Sequence, residues 1–284
     1  MRAWTLDLTT QAQSDGYGVL AFNVIGLDHA EAIVRGAEIE QSPVILQVSQ
    51  NAIRYRLGLV EPLVAACRDL ADVATVSIAL HLDHATTRDL CERAARAGMS
   101  SVMFDASADD DAANIAQTRE IVDWARTAGV AVEGEIGIVG GKDGSVTTDG
   151  GLTDPDDAAR YVAETGVDLL AVAVGSEHGM TRETRIDLAR IGAIREAVAV
   201  PLVLHGSSGV PDDDLAEAVR RGIAKVNMST QLNAAWTGAV REYLDANPAV
   251  TDPRRYGEPA REAMVDLVRA KCRLVGSAGK TTTS

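Results

Sequence analysis

Short apolar runs and longer amphipathic stretches alternate along this chain from one end to the other. Eight runs rich in β-branched or small apolar residues read as strands: GVLAFNVI (18–25), PVILQVSQ (43–50), VSIALHLDHA (76–85), SSVMFDAS (100–107), GVAVEGEIG (129–137), DLLAVAVG (168–175), VPLVLHG (200–206) and IAKVNMS (223–229). Between them, segments such as DHAEAIVRGAEIE, VEPLVAACRDLAD and TRDLCERAARAG carry apolar residues at i, i+3, i+4 and i+7, the spacing of one helix face. TTRDLCERAARAG opens on threonines that can cap a helix and closes on Gly98; DPDDAARYVAETG opens on Asp-Pro and closes on Gly166. Strands alternating with helices predict parallel pairing through crossovers. Eight such units predict an α/β fold, a closed (β/α)8 TIM barrel filling residues 1–284 as one domain. No GxGxxG follows the first strand, which argues against a dinucleotide-binding sheet. From about residue 240 the pattern reads as extra C-terminal helices. The tail GSAGKTTTS is small and polar and is expected to fray.

Composition narrows the function classes. Of 284 residues 46% are hydrophobic, enough for a sizeable core, and the formal net charge is −14. Without a Lys/Arg block, such a surface does not suit nucleic acid. Any phosphate on a substrate must be held by local donors against the field of the whole protein. No apolar run approaches the ~18 residues of a membrane span. The start, MRAWTLDLTTQAQ, lacks a charged-then-apolar leader pattern. Cys67, Cys91 and Cys272 are odd in number and form no CxxC, which fits a reducing cytoplasm better than a disulfide framework or a thiolate zinc site.

In a barrel of this kind, chemistry sits at the C-terminal ends of the strands. Polar residues stand at nearly every predicted strand end: Asn23; Gln47, Ser49, Gln50 and Asn51; Asp83 and His84; Asp105; Glu133 and Glu135; His178; His205; Asn227, Ser229 and Thr230. Three of the five histidines, His84, His178 and His205, fall at the ends of strands three, six and seven, and they converge only if the barrel closes. Three imidazoles with an open fourth position are a usual catalytic zinc site. The alternative is three separate rim residues, each satisfied by its own neighbours. His81, two residues before Asp83, shares its face and reads as a hydrogen-bonded support. HGSSGVPDDDL puts Gly206, Ser207 and Ser208 just before one helix, and NMSTQL puts Asn227, Ser229 and Thr230 just before the next. Backbone N–H groups and hydroxyls in such turns bind phosphate, in barrels typically after strands seven and eight. Simple N-capping by Ser and Thr is the competing reading. The glycine-rich segment EGEIGIVGGKDGSVTTDGG (133–151) reads as a loop after strand five, either a plain excursion or a lid bringing an acid/base group to substrate.

The ordered set AFNV, QVSQ, HLDHA, EGEIGxxGGxDG, VGSEHG, VLHGSSGVP, IAKVNMST, DPRRY and GSAGK resembles the class II, zinc-dependent ketose-bisphosphate aldolases over nearly the whole chain. That family includes fructose-1,6- and tagatose-1,6-bisphosphate aldolases. The resemblance implies a homodimer or homotetramer that cleaves a sugar phosphate to dihydroxyacetone phosphate and an aldehyde. It makes His84, His178 and His205 ligands of a catalytic Zn2+ and Asp83 the group exchanging a proton with the C4 hydroxyl. It gives Glu135 and Asp105 to a displaced metal position or to support of the ligands. It places Gly179, Gly206, Ser208, Asn227, Ser229 and Thr230 around the phosphate and a monovalent cation, Na+ or K+. Arg182 stands where many members have a lysine near that phosphate.

Three departures from the pattern stand out. Lys142 and Asp143 follow the GG pair where the family carries a glutamate that shuttles a proton, so that role falls to the shorter Asp143, weakens or passes elsewhere. Asn51 replaces a frequent glycine, and Glu177 precedes the ligand His178 where a small or apolar residue is common. On a regular strand Asp83 and His84 point to opposite faces, so bringing both to one site requires a local distortion. Other readings stay open: a different ketose phosphate such as a deoxy-ketogluconate phosphate, a non-catalytic sugar-phosphate binder, or a Schiff-base aldolase using Lys225 on strand eight. Arg254 and Arg255 of DPRRY read either as distal-phosphate contacts from a neighbouring subunit or as exposed arginines at a helix start.

Overall fold

The computed structural model describes residues 1–137, 151–179 and 183–281. Eight parallel strands form a closed barrel in sequence order, β1-β2-β3-β4-β5-β6-β7-β8. They are β1 (Val19–Asn23), β2 (Val44–Ser49), β3 (Ile78–Ala85), β4 (Ser101–Phe104), β5 (Ala131–Ile136), β6 (Leu169–Val172), β7 (Leu202–Leu204) and β8 (Ile223–Met228). Each lies inside a run expected from the sequence and is shorter than it at one end or both, where turn residues leave the ladder. Around the barrel stand α2 (Leu27–Glu40), α4 (Glu61–Val73), α5 (Arg88–Ala97), α6 (Asp111–Ala128), α7 (Pro155–Thr165), α8 (Leu188–Ala197), α9 (Asp212–Arg220) and α10 (Thr230–Ala246). The short α3 (Gln50–Tyr55) follows β2, and the C-terminal α11 (Pro253–Leu274) packs on α2 and α10.

Local chemistry sets the helix ends. Thr87, Asp110, Asp154 and Asp187 cap α5, α6, α7 and α8 with side-chain oxygens on backbone N–H groups. Gly98, Gly129 and Gly166 close α5, α6 and α7 in the left-handed region. The large core lies between strands and helices and holds the outward side chains: Leu20 and Phe22 of β1, Leu80 and Leu82 of β3, Leu202 and Leu204 of β7. Burying each such side chain contributes roughly 1.5–3 kcal/mol.

The N-terminal segment, for which the sequence pattern gave no element, folds. Thr5–Asp15 forms α1, which lies under the barrel and plugs it. Leu8 and Ala12 of α1 pack with Val19, Ala21, Ile45 and Ala79, and Leu6 packs on Ala131, Leu169, Ala171 and Val203. The Met1 ammonium donates to the carbonyls of Ala74 and Val76. The expected fraying of the tail is also corrected, through Thr281. Ser277 is buried against Ser42 and Cys272, the Gly279 and Thr281 N–H groups donate to Glu40 and Gln41, and Thr281 Oγ1 accepts from Ser77 N. Backbone pairing with α2 supplies the order that the small side chains cannot.

Candidate active site

The upper end of the barrel opens into a cavity of about 490 Å³ lined by polar residues and two glycines from the strand ends, the loops after them and α3. At its floor, His84, His178 and His205 converge, with their ligand nitrogens within 4.8 Å of one another.

The distortion needed for Asp83 and His84 to share one site is present in β3. The β3–β4 register runs Leu82↔Val102 and then Ala85↔Phe104, so β3 carries one extra residue. His84 takes it up at φ 53°, left-handed backbone that L-residues adopt at a cost of about 1–2 kcal/mol. Asp83 stays on the inward face by ordinary alternation and the bulge turns His84 inward beside it, with their nearest polar atoms 3.8 Å apart. Loops six and seven meet equally closely. Gly206 sits at φ 64°, and a Cβ there would lie 2.6 Å from the backbone of Glu177, so this position next to His205 admits only glycine without displacing the His178 loop.

Hydrogen bonds fix the imidazoles. His84 Nδ1 meets Asp105 Oδ2 at 2.9 Å, which leaves Nε2 facing inward. His205 Nε2 meets Glu133 Oε1 at 2.8 Å. Glu133, in a fully buried ion pair with Lys225 at 2.8 Å, only accepts, so His205 carries its proton on Nε2 and turns a lone pair on Nδ1 inward. The two inward nitrogens lie 3.1 Å apart, lone pair to lone pair, a contact that a cation between them makes favourable. Burial, then the charges of His84 and Lys225, push the His205 pKa well below the ordinary imidazole value, so it is neutral and able to ligate. A donor set of three imidazoles beside an open cavity fits zinc.

Asp83 is buried at the cavity edge. Its Oδ2 accepts from Asn23 Nδ2 at 3.0 Å, and Asn23 Oδ1 in turn accepts from Gln47 Nε2 at 2.8 Å. Its Oδ1 is buried with no hydrogen-bond partner among the described residues. Burial pushes the carboxyl upward, but His84, His205, Lys225 and the Asn23 amide outweigh it and hold the pKa at about 2. The group is therefore a carboxylate with one oxygen fixed and the other open.

The remaining expected residues separate by what they touch. Asn23, Ser49, Gly179, Gly206, Ser207, Ser208, Asn227, Ser229 and Thr230 all line the cavity, as does Asp105. Ser208 Oγ is buried with no partner among the described residues. Ser229 precedes α10 without making a capping bond, so its hydroxyl is not spent on the helix. Ser49 does cap α3, and Ser207 donates to the Asn227 carbonyl, tying loop seven to β8. Glu135 Oε2 lies 3.7 Å from His205 Nδ1, at the barrel wall rather than in the cavity lining. Asp143, Lys142 and Arg182 lie outside the described residues. His81 is fully buried, bonded to Ser101 at 2.7 Å and 3.6 Å from Glu133, the supporting position expected of it. Lys225 does not reach the cavity: it is buried and bonded to Glu133 and Asn227, which removes the Schiff-base reading.

Three contributors were not given these roles from sequence: Glu133, noted there only as a strand-end residue, and Lys225, noted only as a possible nucleophile, which together set the His205 tautomer, and Arg54, which lines the cavity. The first two carried a signal, since each lies two residues from a polar strand-end residue and so faces inward with it. Arg54 carried none, because α3 was not foreseen.

The family model described as fructose-bisphosphate aldolase class-II matches residues 4–280. The chain is 37% identical to the fructose-bisphosphate aldolase of Thermus caldophilus, with 97% of this chain and 98% of that one covered. It is 39% identical to that of Geobacillus stearothermophilus, with 96% of each covered. Its fold matches the crystal structure of the YdjI aldolase from Escherichia coli K12 at a TM-score of 0.87 and 33% identity, over 99% of this chain and 100% of that one. A (β/α)8 barrel with this site defines a lyase of the aldolase type. The chain belongs to the class II fructose-bisphosphate aldolase family, enzymes that act on small sugar phosphates.

Proposed function

We propose that the protein is a zinc-dependent aldolase that reversibly cleaves a ketose 1,6-bisphosphate, of fructose or tagatose type, to dihydroxyacetone phosphate and glyceraldehyde 3-phosphate. The carrying observation is the convergence of His84, His178 and His205 beside the open oxygen of Asp83. Zinc held by the three imidazoles supplies Lewis-acid polarisation of the substrate's ketone. Asp83 takes the C4 hydroxyl proton as the C3–C4 bond breaks and returns it in condensation; Asn23 keeps its other oxygen still. Asp105 and Glu133 hold the ligand tautomers. The hydroxyls of Ser208 and Ser229, with N–H groups near Gly179, Gly206 and the start of α10 at Thr230, hold the C1 phosphate, and a monovalent cation, Na+ or K+, sits beside it. In this reading Arg182 approaches the same phosphate, Asp143 carries the loop's proton transfer, and Glu135 offers a displaced metal position.

The chain works in the cytoplasm as a homodimer or homotetramer. Support comes from three buried, free cysteines and from exposed apolar side chains at Tyr55 and Leu57. Among the described residues no helix is long and apolar enough to cross a membrane. The test follows dihydroxyacetone phosphate from fructose-1,6- and tagatose-1,6-bisphosphate, with and without EDTA, beside light scattering for the subunit count. Cleavage that EDTA abolishes and zinc restores is expected. Zinc retained with neither sugar cleaved would overturn the assignment.

A further inference from the structure

The polar network around the histidines continues down the barrel past Glu133 and ends on the plug helix. His81 Nδ1 meets Ser101 Oγ at 2.7 Å. Ser101 Oγ donates to Oγ1 of Thr5, the first residue of α1, at 2.7 Å. Thr5 Oγ1 lies 3.0 Å from Ser100 Oγ, and Ser100 Oγ donates to the Leu80 carbonyl at 3.1 Å. All four side chains are buried, those of His81, Ser101 and Thr5 completely.

These bonds have a direction, because the last member is a carbonyl. Leu80 O only accepts, so it takes the Ser100 hydroxyl proton. Ser100 Oγ then accepts from Thr5, and Thr5 Oγ1 accepts from Ser101. Ser101 has one hydroxyl proton and spends it on Thr5, so towards His81 it only accepts. Burial, then the charge of Lys225, keeps the His81 ring neutral. A neutral imidazole carries one N–H, and the Ser101 acceptor requires it on Nδ1. Nε2 is therefore bare: it is buried with no hydrogen-bond partner among the described residues, 3.6 Å from Glu133 Oε2.

That bare nitrogen matters to Glu133. The carboxylate divides its oxygens, Oε1 taking the His205 Nε2 proton at 2.8 Å and Oε2 the Lys225 ammonium at 2.8 Å. His81 is a third group at close range. With its proton on Nε2 it would donate to Oε2 and draw the carboxylate away from His205. With its proton on Nδ1 it makes no such demand. Leaving a buried nitrogen unpartnered is unfavourable, and the opposite tautomer would give it a carboxylate; the hydroxyls below hold it in the less satisfied state.

We infer that Thr5 is a positioning residue for the metal centre: its hydroxyl, by taking the Ser101 proton, keeps the His81 proton on Nδ1 and leaves Glu133 to orient His205. The inference rests on the zinc reading above. It gives α1 a part in the site through one hydroxyl, separate from the apolar face with which the helix plugs the barrel.

The test compares wild type with Thr5→Val, which keeps the shape and removes the hydroxyl, Thr5→Ser, which restores it, and Leu8→Ala, which loosens α1 without touching the hydroxyls. The first readout is the His81 tautomer in the metal-free protein, from long-range proton–nitrogen correlation spectra of histidine-labelled protein, with His81→Gln assigning the signal. Wild type and Thr5→Ser are expected to carry the proton on Nδ1. Thr5→Val is expected to carry it on Nε2, because the freed Ser101 proton turns to His81 Nδ1. The second readout is zinc affinity by competition with a chelator. Thr5→Val is expected to bind zinc roughly tenfold more weakly, the low end of the range for groups that orient metal ligands, with Thr5→Ser and Leu8→Ala within about threefold of wild type. If Thr5→Val does not fold, Ser101→Ala breaks the same path from the strand side and carries the same expectations. An Nε2 proton in wild type, or an unchanged tautomer in Thr5→Val, overturns the inference. So does a zinc affinity that Thr5→Val leaves unchanged, or that Leu8→Ala lowers equally, since α1 then acts only through stability. Wild type that takes up no zinc defeats the zinc reading and the inference with it; the tautomers, read without metal, tell that failure from a failure of the hydroxyl path alone.

Discussion

The two halves of the barrel interior are built from the same eight strands on opposite rules. The lower half, on α1, is filled by Val19, Ala21, Ile45, Ala79, Ala131, Leu169, Ala171 and Val203, all buried and apolar. Two residues further along β1, β2, β3, β5 and β7 stand Asn23, Gln47, His81, Glu133 and His205, joined by Lys225 and Asn227 of β8, as thoroughly buried in most cases yet polar or charged. The lower half is held by area removed from water, which tolerates approximate geometry. The upper half is held by partners: Lys225 with Glu133, Glu133 with His205, His81 with Ser101, Gln47 with Asn23 and Asn23 with Asp83. Replacing a buried charged pair by apolar residues is often neutral or stabilising, so this network is weak evidence for stability and strong evidence for positioning. The side-chain oxygens Asp83 Oδ1, Gln47 Oε1 and Ser208 Oγ, which have no hydrogen-bond partner among the described residues, belong to residues that line the cavity.

The sharpest test of this contrast is in the upper half. Asp83→Ala is expected to cut cleavage by about 10²–10⁴-fold, the range of acid–base contributions, with zinc content by metal analysis unchanged. Near-wild-type turnover would remove Asp83 from the chemistry. Next in size, Lys225→Met strands the Glu133 carboxylate and should cost about 3–5 kcal/mol in denaturant unfolding, with much of the loss recovered in the Lys225→Met/Glu133→Leu double variant. Zinc affinity of the double variant should stay low, because His205 has lost the acceptor that fixes its tautomer. If stability and zinc affinity recover together, the network is structural only.

The lower half should respond differently. Leu8→Ala in α1 is expected to cost about 2–3 kcal/mol by leaving a cavity under the barrel, with kcat unchanged at temperatures where the protein stays folded. A fall in kcat would show that the plug and the site are not independent.

A further effect is on acid stability. Burial, then the charge of Lys225, holds His81 well below the usual imidazole pKa, and burial with the charges of His84 and Lys225 does the same to His205. Their folded values lie below the unfolded value of about 6.5, so the unfolded chain binds protons first. Their contribution is intact above about pH 6.5 and declines below it, by about 1.4 kcal/mol per pH unit for each imidazole. Asp83, at about 2 in the fold, adds stability above its unfolded value of about 3.9 that is lost as pH falls from there towards 2. Unfolding curves at pH 7 and pH 5 check the first window, and His81→Gln should remove about half of the slope there.

The sequence alone determined the alternation of strand and helix, and with it the number of strands and the barrel. Those signals are local: apolar runs, the 3.6 period, caps such as Thr87 and stops such as Gly98. It also determined which residues stand at strand ends, so His84, His178 and His205 could be grouped once closure was assumed. The tertiary structure decided what depends on partners distant along the chain. The extra residue in β3 exists only relative to its pairing with β4, so no property of HLDHA by itself turns His84 inward beside Asp83. Lys225 reads alone as a candidate nucleophile and becomes a buried counter-ion only because β5 brings Glu133 opposite it. Arg54 became a wall of the cavity because Gln50 pins α3 to Thr86, and the tail became ordered because Glu40 and Gln41 offer it backbone carbonyls. Periodicity records which face a residue turns to the core; it carries no information about which distant group will be waiting there.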